Sequence, residues 1–242
     1  MKKVLLLFIT ISSIAFAQYN GNEFGISASW SYTTSSKLFY FPNAEDPFLR
    51  NQSVSLEDIN SIAFELKYRV SEAIITGLNI GYVDHSGYIK PVTAIGESGI
   101  VSLDASDGFN VIPVELTLYY FLPFSSDRFK FYMGGGAGFY IGNHTRSLGT
   151  LEVENIKREN AYGIHVMVGM DYMIFDFLSV KGEMKFRDPE FEVVNNYKNN
   201  TITYRGKEYF VSGNKYDAAV NIDGVMFTMG VAYHFSLSAL GF

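Results

Sequence analysis

Along residues 61–70, SIAFELKYRV, apolar side chains occupy every second position: Ile62, Phe64, Leu66, Tyr68 and Val70. Glu65, Lys67 and Arg69 lie between the last four of them. Residues 178–187, LSVKGEMKFR, alternate Lys181, Glu183, Lys185 and Arg187 with Val180, Gly182, Met184 and Phe186. A period of two belongs to the β-strand, whose successive side chains point to opposite faces. Eight stretches carry it: 23–32, 61–70, 74–83, 111–121, 129–142, 161–173, 178–187 and 224–235. The pattern predicts eight strands, each with one apolar face and one polar or charged face.

The connections alternate in length. Ser71-Glu72, 122–128 and 174–177 are short, whereas 33–60, 84–110, 143–160 and 188–223 are long. Residues 201–211, TITYRGKEYFV, carry a further hairpin signal with Gly206 at the turn. Its arms are too short for the roughly 9–11 residues of a membrane-crossing strand. It is therefore expected to stand as a hairpin in the last long connection, with ten strands as the alternative.

Composition decides what the strands face. The chain is 16% aromatic, with 17 Tyr and 21 Phe, and no apolar run after residue 17 reaches membrane-helix length. A spanning structure without apolar helices must be a closed barrel, since only closure pairs every strand edge in lipid. The first 17 residues join Lys2 and Lys3 to an apolar core and an Ala15-Phe16-Ala17 cleavage site, as a secretory signal peptide does. The expected organisation is a signal peptide at 1–17 and one domain at 18–242. The expected fold is all-β: an eight-stranded antiparallel up-and-down transmembrane β-barrel with long extracellular loops. Short turns then lie in the periplasm, as do both termini. Without Lys2 and Lys3 the chain has 17 basic and 25 acidic residues, which argues against a nucleic-acid partner. It has no Cys, hence no disulfides.

Closure also assigns the charges. A Lys or Arg facing lipid at the midplane costs about 2–4 kcal/mol, so the apolar faces point outward. The charged faces then line a lumen barely wide enough for its own side chains. The inward set is Glu65, Lys67, Arg69, Glu115, Lys130, Asp171, Lys181, Glu183, Lys185 and Arg187. Buried charges must be paired or hydrated, so an ion-pair network plugging the lumen is expected. Glu65 is placed to pair with Lys181 or Lys185, and Glu183 with Lys67. The alternative is a conduit for anions, helped by gaps at Gly77, Gly81, Gly134, Gly136 and Gly138.

Candidate chemistry is thin, and no catalytic, cofactor or metal residue is assigned. DHS (84–86) places adjacent residues on opposite faces of extended chain, so it forms no triad and reads as a loop turn. HFS (234–236) pairs a His and a Ser on one face, at the periplasmic end. DASDG (104–108) reads as a polar turn. His165 and His234 point inward, as buried hydrogen-bonded histidines.

The phrases IPVELTLYYF, KFYMGGGAGFY, GIHVMVGMDY and VKGEMKFR resemble the small outer-membrane barrels of the OmpA/OmpX/OmpW-like superfamily, barrel domain only. The stretch MGVAYHF (229–235), with Gly230, Tyr233 and Phe235, resembles the C-terminal signal read by the barrel-assembly machinery. It departs from that signal in Met229 and in the seven residues that follow Phe235. The resemblance implies a monomer in the outer membrane of a Gram-negative-type cell, with outer-membrane lipid and the assembly machinery as partners. The function expected is non-enzymatic, a structural or surface-interaction role through loops such as KLFYFPNAEDPF (37–48). The alternatives are a narrow OmpW-like channel for small or hydrophobic solutes and a lipid A-modifying enzyme.

Overall fold

The computed structural model describes residues 22–236, except 98, 149–150, 198 and 212–214. The signal-peptide reading of 1–17 lies outside the described residues. Among the described residues, thirteen strands form one sheet: β1 (Phe24–Phe39), β2 (Ser53–Arg69), β3 (Ile74–Gly96), β4 (Gly99–Phe121), β5 (Phe129–Leu148), β6 (Leu151–Arg158), β7 (Ala161–Phe175), β8 (Leu178–Arg187), β9 (Glu190–Tyr197), β10 (Thr201–Tyr204), β11 (Lys207–Val211), β12 (Lys215–Asn221) and β13 (Val225–Phe235).

Eight of them close a ring across the membrane. β1 pairs with β2, β2 with β3, β3 with β4, β4 with β5, β5 with β7, β7 with β8, β8 with β13, and β13 returns to β1. Every pairing is antiparallel, so no edge is left for lipid to solvate. The eight expected stretches are these strands or parts of them. Ile62, Phe64, Leu66, Leu116, Leu118, Val166, Val168, Met229 and Val231 are exposed on the outer wall. Glu65, Lys67, Glu115, Thr117, His165, Met167, Thr228 and Ala232, their neighbours in sequence, are buried inside.

The long connections differ from the loops expected of them, because most of their length is strand. Above the membrane ring the barrel continues as a second tier. There β5 pairs with β6, β6 with β9, β9 with β12, and β12 with β1. Thus β6 and β7, β8 and β9, and β12 and β13 are the two halves of three bent strands. Asp188-Pro189 separates β8 from β9, and a proline has no N–H to give a ladder. Ile222 N donates instead to Pro189 O at 3.0 Å.

The tier escaped the strand pattern because its alternation runs in opposite phase. On β4 within the membrane, Glu115, Thr117 and Tyr119 face in while Leu116, Leu118 and Tyr120 face out. Beyond Val111 the inward residues become Phe109, Ala105 and Leu103, and the outward ones Asn110, Ser106, Asp104 and Ser102. A wall that leaves lipid for water must turn its apolar face inward. DASDG is therefore part of β4 and DHS part of β3, not turns. The 201–211 hairpin is β10 and β11, turning at Arg205-Gly206, both with positive φ. It folds over the tier and pairs with the end of β3 at Phe210↔Ile95. One helical turn, Pro47–Arg50, lies between β1 and β2.

Candidate functional site

The lumen is filled in layers. Nearest the short turns, Ile75, Tyr119, Phe121, Tyr132 and Met167 pack as an apolar and aromatic cluster. Arg69 and Lys130 lie toward this end, with Asp127 beside Lys130; Arg69 Nε donates to Ser71 O at 3.3 Å.

The other eight charges of the expected set form two groups. In the first, Lys181 Nζ donates to Glu65 Oε2 at 2.9 Å and to Glu183 Oε1 at 3.3 Å. Lys67 Nζ lies 3.6 Å from Glu65 and 3.9 Å from Glu183. Asp171 accepts from Tyr132 Oη at 3.2 Å. In the second group, Lys185 Nζ donates to Glu115 Oε2 at 2.5 Å, and Arg187 Nη1 to Glu115 Oε1 at 3.2 Å. Of the two bases offered to Glu65, the structure brings Lys181 and commits Lys185 to Glu115.

Three tyrosines that the sequence reading left out complete these groups. Tyr119 Oη donates to Glu65, Tyr132 Oη to Glu183 at 2.8 Å, and Tyr140 Oη to Glu115 at 2.8 Å. They share the inward parity of Lys130 and Glu115, which is the signal that would have found them. Their rings also fill the glycine notches. A Cβ on Gly77 would meet the Tyr119 ring at 2.9 Å, and one on Gly138 the Tyr140 ring at 2.8 Å. Of the five glycine gaps expected for an anion conduit, those at Gly77, Gly134 and Gly138 face aromatic rings, whereas Gly81 faces Pro113 and Gly136 the backbone of Leu116. The two inward histidines each meet a hydroxyl: His165 Nε2 lies 2.8 Å from Thr117 Oγ1, and His234 Nε2 2.8 Å from Ser179 Oγ.

Above the charges the interior turns apolar. Leu38, Leu56, Ile59, Val83, Phe109, Val111, Phe191 and Val220 pack with their neighbours into one buried core. Over it sits a polar cluster that sequence reasoning also missed, since its members come from connections read as loops. Arg146 holds Asp107 through two bonds of 2.6 Å, Nε to Oδ1 and Nη2 to Oδ2. Its guanidinium carbon lies 4.6 Å from the Tyr216 ring centre and 5.3 Å from that of Tyr40. His144 Nε2 is 3.6 Å from Asp107 Oδ1. Burial alone would raise the Asp107 carboxyl; the hydrogen bonds from Arg146, with His144 close by, outweigh it and hold it down to about 2. A last apolar cluster, with Leu148, Leu151, Ile202, Tyr209 and Val211, closes the loop end under the β10–β11 hairpin.

One stretch of wall lacks a ladder. β5 pairs with β7 as far as Tyr140↔Ala161 and with β6 at Ser147↔Glu152 and Leu148↔Leu151. Among the described residues, 141–146 of β5 have no strand pairing on that side. The Asn155 side chain bridges the seam: His144 N donates to its Oδ1 at 3.1 Å, and its Nδ2 to His144 O at 2.9 Å. Behind the seam Phe191 packs against Gly142.

The model of the OmpW family matches residues 65–235. Among solved structures, OprG of Pseudomonas aeruginosa aligns with a TM-score of 0.62 and 15% identity, over 91% of this chain and 100% of its own. Ail of Yersinia pestis aligns with a TM-score of 0.46 and 9% identity, over 88% of this chain and 99% of its own. Outer Membrane Protein W of E. coli aligns with a TM-score of 0.40 and 13% identity, over 88% and 98%. No curated protein matches the sequence. The family match covers most of the membrane ring and of the tier above it: the chain belongs to the OmpW family of outer-membrane β-barrel proteins.

Proposed function

We propose that this barrel is closed to ions and water and admits small apolar solutes through its loop-end tier. One observation carries the reading: an apolar tier stands directly above a charge-sealed lumen, beside a seam in the wall. Aqueous pores are lined by polar groups. An interior of Val83, Phe109, Val111, Phe191 and Val220 offers nothing to a hydrated ion and solvates hydrocarbon. A solute entering between the tier strands would leave sideways at the seam, where a side-chain amide replaces the ladder. Below it, the Glu65 and Glu115 groups block the path to the periplasm.

The reading is non-enzymatic, since the hydroxyl–imidazole pairs of the lumen are buried where no substrate reaches them. It places both termini in the periplasm, with the short turns. It takes Gly230, Tyr233 and Phe235 of β13 as the assembly signal, and outer-membrane lipid around a monomer. The test compares uptake of labelled naphthalene by Gram-negative cells with and without the protein, together with planar-bilayer conductance. Faster uptake without conductance is expected. Unchanged uptake, or steady ion currents, removes the proposal.

A second reading rests on the first connection, where Phe41, Phe48 and Leu49 are exposed, Phe48 at 76%. An exposed apolar loop offers a surface for adhesion. Binding of cells bearing a Phe48→Ser variant to an abiotic or cell surface, against wild type, tests it.

A further inference from the structure

Three aromatic rings border one opening in the tier. Tyr40 follows the end of β1, and Tyr216 lies at the start of β12. The Arg146 guanidinium carbon is 5.3 Å from the first ring centre and 4.6 Å from the second. Both rings also pack against the apolar clusters of the tier, so they are fixed from within. Phe41 belongs to neither cluster and is 50% exposed. A turn in which Ala44 N donates to Phe41 O at 3.1 Å holds its backbone beside them.

The opening is a pocket of about 440 Å³, within the roughly 300–1,000 Å³ of small-molecule sites. Asn43, Lys215 and Asp217 give it polar walls. Asn43 Nδ2 donates to Asp217 Oδ2 at 3.3 Å and to Glu192 Oε2 at 3.5 Å, which turns the amide oxygen away from both carboxylates. Lys215 repels a cation, and Asp217 and Glu192 repel an anion, so the pocket suits a neutral molecule with an apolar face and a hydrogen-bonding edge. Its height narrows the source. The wall leaves lipid near Tyr32, whose hydroxyl donates to the Asp58 carboxylate at 2.7 Å. Tyr40 lies eight residues further on (32 to 40). At about 3.3 Å per residue and a tilt of about 35–45°, that is about 20 Å above the membrane.

We propose that this pocket binds a neutral pyranose unit of the sugar chains that coat the outer leaflet around the barrel. A pyranose has a face of C–H groups and a rim of hydroxyls. The C–H groups carry slight positive charge and lie well against the negative face of an aromatic ring, here the accessible ring of Phe41. The rim then meets Asp217 as acceptor and Lys215 as donor, and hydrogen bonds to charged groups are the stronger kind. The Asn43 oxygen accepts from a further hydroxyl. The sugar chains of a Gram-negative outer membrane begin at the lipid surface and stand at this height. The site lies on the outer rim and is independent of the apolar-solute reading above.

The test is saturation-transfer NMR of the protein in lipid nanodiscs with core oligosaccharide released from lipopolysaccharide by mild acid, against empty nanodiscs. Saturable transfer to sugar-ring protons is expected, competed neither by mannitol, a polyol without a ring face, nor by choline. Phe41→Ala and Asp217→Asn should each weaken binding at least ten-fold while the barrel still shifts on gels when heated. Phe48→Ser, outside the pocket, should leave it unchanged. In nanodiscs containing lipopolysaccharide, native mass spectrometry should find the full-core form bound in preference to one cut back to lipid A, and Phe41→Ala should lose that preference. Absence of saturable transfer overturns the site. Equal competition by mannitol overturns ring stacking, and competition by choline makes the pocket a cation site instead. Wild-type affinity in either pocket variant overturns the role given to that residue. Binding of the oligosaccharide with no preference for full-core lipopolysaccharide overturns the membrane as its source and points to free sugars.

Discussion

Lys181 Nζ donates to Glu65 Oε2 at 2.9 Å across the lumen, joining β8 to β2, two strands that share no backbone hydrogen bond. Both side chains are almost fully buried. The pair ties opposite walls of the ring where the ladder cannot. Taking two charges out of water is costly, so such a pair does not by itself add much stability. Removing one partner is different, because the other stays buried.

Glu65→Gln leaves Lys181 with Glu183 alone and Lys67 with its more distant partner. The expected loss is about 3–5 kcal/mol where burial is complete. Urea unfolding in detergent should show it. Charge reversals on the outer face of the tier, such as Glu154→Lys, should leave the midpoint unchanged. A wild-type midpoint for Glu65→Gln would mean that the lumen is hydrated.

The Asp107–Arg146 pair makes the tier acid-sensitive. The folded Asp107 carboxyl sits at about 2, below its ordinary 3.8. A depressed carboxyl contributes stability that is complete above the unfolded value and is lost as pH falls through the folded one. The contribution is about 2 kcal/mol above pH 4, fading between pH 4 and pH 2. Limited proteolysis of 99–109 and 143–148 should accelerate in that window in wild type. Asp107→Asn should be cleaved faster already at pH 7, since Arg146 is then buried without its partner.

Asn155→Ala cuts the side-chain bridge to His144 across the seam. Two hydrogen bonds of about 0.5–1.5 kcal/mol each are lost. Amide exchange at His144 should quicken while Glu115 and Tyr132 keep their protection. If the seam is the exit for apolar solutes, naphthalene uptake rises in the same variant.

Tyr132→Phe keeps the ring against Gly169 and removes the hydroxyl that binds Glu183 and Asp171. Leaving those buried acceptors short should cost about 1–3 kcal/mol, read as a lower thermal midpoint in detergent. Tyr132→Ala empties the notch as well and should cost more.

Trp30 is the only tryptophan. It stands on the outer wall between Ile62 and Met229, both exposed. Two residues on, the Tyr32 hydroxyl donates to Asp58 at 2.7 Å, a carboxylate that lipid would not tolerate. The interface therefore passes close to Trp30, where aromatic side chains concentrate. Lipids brominated near the headgroup should quench its emission more than lipids brominated at the chain end.

How much of this was written in the order of residues follows from the range of the forces. Period-two alternation is local: each Cβ points opposite to the last, so Glu65, Lys67, Glu115 and Lys181 could be assigned to the lumen one strand at a time. The demand that lipid meet no unpaired backbone then forced closure into a ring. Both arguments need only neighbouring residues and the solvent.

Which lumen charges meet is decided by strand tilt and stagger around the closed ring, a property of all eight strands together. Lys185 found Glu115, not Glu65, for that reason. The tier above the membrane was hidden by its reversed alternation, since Leu103, Ala105 and Phe109 look like loop residues until the wall is known to have left lipid. Asp107, Arg146 and His144 meet only once that tier has formed. The sequence alone determined which face each residue presents; the tertiary structure decided which residue it faces, because the pairing depends on a closure that no single strand contains.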